Sequence, residues 1–130
     1  MSFNSLFAIP TGRTPRGAFV GGLIVLLVVY AFYFQFVKGR NGEWCMVALL
    51  FPAFVLHARR LHDMGKSAWL LLAPGALAGA AVWVRLIHPT PALEAPVIWA
   101  TLLVVAAFAV WGLVGKAEAG ANAYGAPEAA

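Results

Sequence analysis

Four apolar segments, each close to the length that crosses a lipid bilayer, occupy most of this 130-residue sequence. A helix rises about 1.5 Å per residue, so about 20 residues match a hydrocarbon core about 30 Å thick. Hydrophobic residues make up 62% of the chain and charged residues 11%, which leaves more apolar surface than a soluble domain of this size can bury. We therefore predict a single all-α integral membrane domain over residues 1–130, with transmembrane helices at about 18–37, 44–62, 68–87 and 97–115.

The first two segments each allow a second interpretation. The first could be a signal peptide, but it is longer than the apolar core of such a peptide, and no small-residue cleavage site follows its aromatic end. The second has an uncharged stretch of only 15 residues, 44–58, so a re-entrant segment is the alternative to a full crossing. We expect a crossing, kinked at Pro52, because the helix can continue into arginines whose long side chains reach the headgroups. Pro89, Pro91 and Pro96 are expected to separate the last two helices.

The distribution of Lys and Arg predicts which side of the membrane each loop faces. With four spans, both ends of the chain and the middle turn share one side, which carries six basic residues against three on the other. Because cytoplasmic loops carry the basic excess, we expect both termini and the tail at 116–130 in the cytoplasm. The net charge of +4 is then explained by orientation and contact with anionic lipid, without nucleic acid. The six are Arg13, Arg16, Arg59, Arg60, Lys66 and Lys116, and the three are Lys38, Arg40 and Arg85.

The middle turn, residues 59–67 (RRLHDMGKS), gathers many of the ionisable groups of the chain. If the second helix continues through most of it, Gly65 is suited to the position just past the helix end. Ser67 is then suited to capping the next helix. The sequence predicts a helical hairpin whose bend lies among the lipid headgroups.

Asp63 is the acid in this turn, and Arg59 stands four residues before it, where a helical i,i+4 ion pair can form. If the carboxylate is buried, Arg13 or Arg16 could compete for it. The neighbouring His62 points about 100° away on a helix, so it is not a histidine oriented by Asp63 for catalysis. No Ser or Cys nucleophile with a base nearby can be placed. We therefore predict no enzyme. His57 and His62 are five residues apart and lie on different faces of a helix, so with Asp63 they make a poor metal set, and we predict no metal or cofactor site.

Three short motifs carry a resemblance to a known family. Residues 12–16 (GRTPR) match a GR-x-x-R opening, residues 59–63 match an RRLHD turn, and residues 122–127 (NAYGAP) match a closing N-x-YG-x-P. In this order they make the sequence resemble the domain of unknown function 805 family, small bacterial inner-membrane proteins. Ala68 stands where that family usually has Gly. The resemblance covers nearly the whole chain and implies a multi-pass protein of the inner (plasma) membrane with no assigned activity.

The three motifs and the predicted topology together give a binding hypothesis. All three motifs lie on the predicted cytoplasmic side, where we expect the tail to fold back against the turn. Guanidinium groups suit phosphate, so the candidate ligand is an anionic lipid headgroup or another phosphate-bearing molecule. The structural alternative is that the arginines mark orientation, Asp63 neutralises one of them, and Asn122 and Tyr124 pin the tail. The predicted site comprises Arg13, Arg16, Arg59, Arg60, His62, Asp63, Asn122 and Tyr124.

Transport is the alternative function. Ionisable residues inside the membrane usually mark an ion path, and the predicted spans place none at their centre, so a transporter or channel component would have to act as an oligomer. Gly17 and Gly21 are four residues apart, as are Gly75 and Gly79, a spacing that lets a neighbouring helix approach closely. Expected partners are thus the bilayer, anionic lipids and further copies of the chain.

Overall fold

The computed structural model describes residues 7–8, 11–37 and 39–127, except for the side chains of residues 39–41. Lys38 and the last three residues of the predicted tail lie outside this part. Within it the chain is helical, with a 3-10 turn (Ala68–Leu71) before the fourth helix and a π-helical turn (Trp83–Ile87) after it. The helices are α1 (Arg16–Phe36), α2 (Gly39–Ala48), α3 (Leu50–Asp63), α4 (Leu72–Val82) and α5 (Pro91–Val114).

Four stretches of these helices are long and apolar enough to cross a membrane. At most 33% of the residues in an 18-residue window of any stretch are buried inside the chain, so most residues of these helices keep some exposed surface, as in helices covered by lipid. The prediction of an all-helical chain with four membrane-length helices is thus confirmed for the described residues. The side of the membrane stays a prediction. The stretches are Arg16–Phe36, Gly42–Asp63, Ala68–Ile87 and Pro91–Val114.

The second stretch is interrupted at Leu49, between α2 and α3. Pro52 is the third residue of α3 and has no N–H to donate to the carbonyl of Ala48. Leu49 N donates to Met46 O at 3.1 Å, a tighter turn than in an α-helix. The kink expected from the proline is therefore a one-residue break, and the 22 residues Gly42–Asp63 have the length of a full crossing.

The last helix, α5, begins at Pro91, six residues before its predicted start, and Pro96 lies inside it. The expectation that Pro96 would separate the last two helices was wrong. Pro91 is the first helical residue, where an N–H has no intrahelical partner to lose. Pro96 follows so closely that it removes only one hydrogen bond near this end. The break falls at residues 88–90 instead.

Two glycines allow the closest approach between helices. A Cβ atom on Gly22 of α1 would lie 2.7 Å from Leu56 Cδ1 of α3. A Cβ on Gly112 of α5 would lie 2.6 Å from Phe19 Cζ of α1. Both distances are too short for a real Cβ, so these glycines set how closely α1 packs against α3 and α5.

The two glycine pairs predicted from their spacing make no such contact within the described chain. A Cβ added at Gly17, Gly21, Gly75 or Gly79 would meet no atom within 4 Å. Their role in self-association stays a prediction.

Buried residues gather at the end of the bundle where α3 ends. The last six residues of α3, from Ala58 to Asp63, are all buried. An apolar cluster of Ala58, Leu61, Met64 and Leu71 lies there, with Trp111 packed against it. This end therefore has a protein core of its own, and polar side chains can be buried in it.

Candidate functional site

Asp63 lies at the centre of a group of buried charges. Its Oδ1 accepts a hydrogen bond from Arg13 Nε at 3.0 Å, and its Oδ2 accepts one from Arg60 Nη1 at 2.6 Å. The side chains of Arg13, Arg60 and Asp63 are 0%, 1% and 2% exposed. Arg59 is also buried. We call Arg13, Arg59, Arg60 and Asp63 the buried cluster.

Arg13 joins the amino-terminal segment to the end of α3 and to the tail. Its Nη1 donates to Gly120 O at 2.6 Å and to Gly125 O at 3.3 Å, and its Nη2 donates to Glu118 O at 2.6 Å and to Asp63 O at 3.2 Å. Together with the Nε bond to Asp63, these contacts use five N–H groups, the full complement of an arginine. Arg13 therefore has no donor left over.

Arg60 joins α3 to the end of α5. Its Nε donates to Gly112 O at 2.7 Å, its Nη2 donates to Gly115 O at 2.8 Å, and its Nη1 also donates to Thr14 O at 3.3 Å. The last carbonyls of a helix have no intrahelical donor and carry the negative end of the helix dipole. A guanidinium group is well matched to this position.

Arg59 holds the segment before α1. Its Nε donates to Thr14 Oγ1 at 3.0 Å, its Nη2 donates to Arg13 O at 3.0 Å, and its Nη1 donates to Thr11 O. The backbone of Thr14 returns a bond, its N–H donating to Arg59 O at 3.1 Å. Gly12 (φ +92°) turns the chain here, and a Cβ on it would lie 2.9 Å from Arg59 Nη1. The first motif, residues 12–16, therefore packs closely against the side chain of Arg59, which belongs to the second motif, residues 59–63.

His62, Asn122 and Tyr124 connect the tail to the turn. The rings of His62 and Tyr124 stack with centroids 3.9 Å apart and planes 5° from parallel. His62 Nδ1 lies 3.0 Å from Gly12 O, and Asn122 Nδ2 donates to His62 O at 3.0 Å. Asn122 and Gly125 close the tail turn through two backbone bonds of 3.0 Å.

Arg16 lies at the exposed rim of this end. Its Nη2 donates to Gly115 O at 2.9 Å and to Val114 O at 3.3 Å, so it also caps α5. The structure thus gathers all eight residues of the predicted site at one end of the bundle. Arg16 is exposed, whereas Arg13, Arg59, Arg60, His62 and Asp63 are buried, and Asn122 and Tyr124 are partly buried.

Residues 7–126, which include every contact above, match the model of a family described as a protein of unknown function, DUF805. The chain belongs to the DUF805 family. This match confirms the resemblance drawn from the three motifs, and it assigns no activity. No curated protein and no solved structure matches the sequence.

Local geometry in the DUF805 chain agrees with the helix-end assignments. Gly65 follows the end of α3 with a φ of +75°, a conformation that glycine adopts at little cost. Ser67 Oγ accepts a hydrogen bond from Trp69 N at 3.2 Å. Asp63 is paired with Arg60 at i−3 and with the distant Arg13, which was expected to compete for a buried carboxylate. The i,i+4 pair with Arg59 stays a prediction.

The DUF805 site also depends on residues that sequence reasoning missed. The main acceptors are the backbone carbonyls of Gly112, Gly115, Glu118 and Gly120. Every residue has a carbonyl, so no side-chain signal distinguishes these four. The one available hint was the pair of glycines at the end of the last apolar segment.

A second charged group lies at the opposite end of the DUF805 bundle. Arg85 Nε donates to Glu43 Oε1 at 2.7 Å, and Arg85 Nη1 is also paired with Glu94. The Arg85 side chain is 47% exposed. These contacts join the π-helical turn to α2 and α5. In the sequence, the indication of this group was that these three charged residues each lie near an end of an apolar segment and share one predicted side of the membrane.

Proposed function

We propose that this DUF805 protein is a structural or regulatory component of the bacterial inner membrane that binds anionic lipid headgroups at its basic end. That end is assigned to the cytoplasmic side. The headgroup contacts are assigned to the exposed cations Arg16, Lys66 and Lys116, and the buried cluster is assigned a structural role. The competing version has the buried arginines as the ligands themselves.

One observation supports this proposal most: the N–H groups of the buried guanidinium groups already donate hydrogen bonds to protein acceptors. Arg13 directs five N–H groups at protein acceptors, and Arg60 makes four such bonds. A phosphate could reach these donors only by displacing carbonyls that would then be buried without a partner, which is costly. Headgroup binding is therefore better supported at exposed side chains.

The exposed cations have the charge that headgroup binding requires. Among the described residues at this end, six Lys and Arg side chains stand against two acids, Asp63 and Glu118, which leaves a net charge of +4. The anionic surface of a cytoplasmic leaflet attracts basic groups by about 1 kcal/mol per Lys or Arg. Three exposed cations at one end of the bundle should therefore enrich anionic lipid measurably.

The test is lipid enrichment around the full-length protein in nanodiscs of phosphatidylcholine and phosphatidylglycerol, with bound lipids counted by native mass spectrometry. The triple variant Arg16→Gln, Lys66→Gln, Lys116→Gln is expected to lose phosphatidylglycerol preference by about fivefold per cation removed. Arg40→Gln, which removes a positive charge that the sequence predicts on the other side of the membrane, is the control and should keep the preference. An unchanged preference in the triple variant would contradict the proposal.

The double variant Arg59→Gln, Arg60→Gln separates the two versions of the site. If the buried arginines are structural, this variant should unfold at a lower temperature, while its folded fraction keeps the phosphatidylglycerol preference. A folded double variant that loses the preference, beside a triple variant that keeps it, would instead make the buried arginines the headgroup ligands.

A further inference from the structure

An apolar cavity of about 370 Å³ lies between α1, α2, α4 and α5, towards the end of the bundle opposite the buried cluster. Tyr30 and Phe34 line it from α1, Met46 from α2, Ala81 from α4 and Leu102 from α5. Its volume falls within the range of small-molecule sites, about 300–1,000 Å³. Each of these helices belongs to a membrane-length stretch, so the expected occupant enters from lipid.

The charged group of Arg85, Glu43 and Glu94 lies at one end of this cavity. Arg85 and Glu43 are part of its lining, and Arg85 is also paired with Glu94. All three lie within a turn of the end of their membrane-length stretches, at the level of lipid headgroups. The lining continues to Leu50, seven residues beyond Glu43, or about 10 Å deeper at 1.5 Å per residue. The cavity thus has a charged end and an apolar interior, as a lipid molecule has.

The charged group has donors and acceptors that suit a zwitterionic headgroup. Arg85 directs three N–H groups at the glutamates, from Nε and Nη2 to Glu43 Oε1 and from Nη1 to Glu94 Oε1. An arginine has five N–H groups, and the other two have no acceptor among the described residues. The Oε2 atoms of both glutamates likewise accept no hydrogen bond from a described residue. The three side chains are 47%, 26% and 30% exposed, so a phosphate can reach Arg85 while an ammonium group reaches the glutamates.

The charge of this group favours an ammonium-bearing ligand over an anionic one. Two carboxylates stand against one guanidinium, so a cation is attracted and an anion is repelled. A primary ammonium group also donates three hydrogen bonds, whereas the trimethylammonium group of phosphatidylcholine donates none. We propose that the cavity holds one phosphatidylethanolamine molecule, with its headgroup on Arg85, Glu43 and Glu94 and an acyl chain in the apolar interior. This site is separate from the anionic headgroup contacts proposed above and does not depend on them.

The experiment compares phosphatidylethanolamine with phosphatidylcholine, which has the same net charge but no N–H donor. The full-length protein is placed in nanodiscs that contain equal amounts of the two lipids with identical acyl chains. Native mass spectrometry then counts the lipids that the protein retains when the nanodisc is removed. We expect one retained lipid, with phosphatidylethanolamine preferred about fivefold, the value of one hydrogen bond. Equal retention of the two lipids would overturn the proposal.

Replacing the two glutamates tests the headgroup contacts. The double variant Glu43→Gln, Glu94→Gln keeps Arg85 and the side-chain lengths but removes both carboxylates, so the preference for phosphatidylethanolamine should disappear. The double variant Glu118→Gln, Glu128→Gln removes the same charge from the tail, and as the matched control it should keep the preference. A preference that survives in folded Glu43→Gln, Glu94→Gln protein would contradict the proposal, because it would then come from lipid elsewhere on the protein.

A larger side chain inside the cavity tests the acyl-chain contact. Ala81→Leu fills part of the cavity that Ala81 lines and leaves the three charged residues in place, so we expect the retained lipid to be lost. Ala76→Leu is the matched control, because Ala76 is exposed on the same helix and is not part of the lining. Full retention in the Ala81→Leu variant would overturn the proposal even where the double glutamate variant does not fold.

The two proposed lipid contacts are distinguished with the triple variant described above, which removes the exposed cations of the basic end. It should retain phosphatidylethanolamine as the unchanged protein does, whatever happens to its preference for phosphatidylglycerol. Loss of phosphatidylethanolamine from that variant would place this lipid at the basic end and overturn the proposal.

Discussion

At the scale of single residues, the buried cluster contains one carboxylate and three arginines, two of which bind that carboxylate directly. Asp63 is 2% exposed and is the one acid of the buried cluster. Because the cluster also contains three arginines, its net charge is positive. Buried charge is costly unless it is paired and hydrogen-bonded. Backbone carbonyls accept most of the hydrogen bonds that the arginines donate. Because α3 and α5 both end here, the negative ends of their helix dipoles also face the cations. The cluster is thus stabilised by one acid and two helix ends together.

Removing the Asp63 charge should therefore be strongly destabilising. Asp63→Asn leaves Arg13 and Arg60 buried without their counter-ion, and we expect the free energy of unfolding to fall by about 3 kcal/mol or more. Glu94→Gln is the matched acid-to-amide control, and its exposed pair with Arg85 should contribute at most about 1 kcal/mol. Reversible unfolding in detergent micelles measures both. Equal losses would mean that the buried ion pairs do not stabilise this end.

At the scale of the helices, close packing depends on glycines that face a neighbour. Lipid is as apolar as the helices, so helix association in a membrane relies on close van der Waals contact at small residues. Spacing in the sequence singled out Gly17 with Gly21, but the contact to α3 is made by the next residue, Gly22. The rotation of a helix about its axis decides which glycine faces inward. That rotation is set by packing between helices, which spacing along one helix does not report.

Gly112→Ala tests this packing. The added Cβ would meet the fully buried ring of Phe19, and overpacking of this kind should lower the free energy of unfolding by about 1–3 kcal/mol. Gly21→Ala is the control, because a Cβ there meets no atom within 4 Å. The same unfolding measurement applies. A loss at Gly21 as large as that at Gly112 would refute the packing argument.

At the scale of the whole molecule, both described ends of the chain meet at one end of the four helices. An even number of crossings returns the chain to its starting side, and Arg13 then bonds the amino-terminal segment to the tail through Glu118 and Gly120. The tail N–H of Glu118 also donates to Asp63 O at 2.7 Å. The opposite end is held by Arg85 between two glutamates. Each end of the bundle therefore has its own charged contacts.

Cysteine labelling tests the orientation. The single Cys45 is first replaced by Ser, and then Ser67→Cys, Thr90→Cys or Ala119→Cys is introduced alone. A membrane-impermeant thiol reagent added to spheroplasts should label position 90, and it should label 67 and 119 only after lysis, because the basic end is expected in the cytoplasm. Labelling of 67 and 119 from opposite sides would contradict four crossings, and labelling of both from outside would reverse the orientation.

The sequence by itself determined the fold class and the helix ends of the middle turn. Hydrophobic length is a local property, so an apolar segment of about 20 residues predicts a membrane-length helix whatever its neighbours are. Gly65 and Ser67 act within one turn of chain, so their roles were also readable locally.

Tertiary structure decided which arginine meets Asp63, which carbonyls receive the other guanidinium donors, and which glycines face a neighbouring helix. Arg13 and Asp63 are 50 residues apart, and Arg13 and Gly120 are 107 apart, so no local pattern pairs them. The start of α5 at Pro91 was also decided beyond the local pattern, since a proline near a helix start is tolerated as readily as one outside it. Every backbone carbonyl is alike in the sequence, and only the fold brings particular ones within reach of a buried cation.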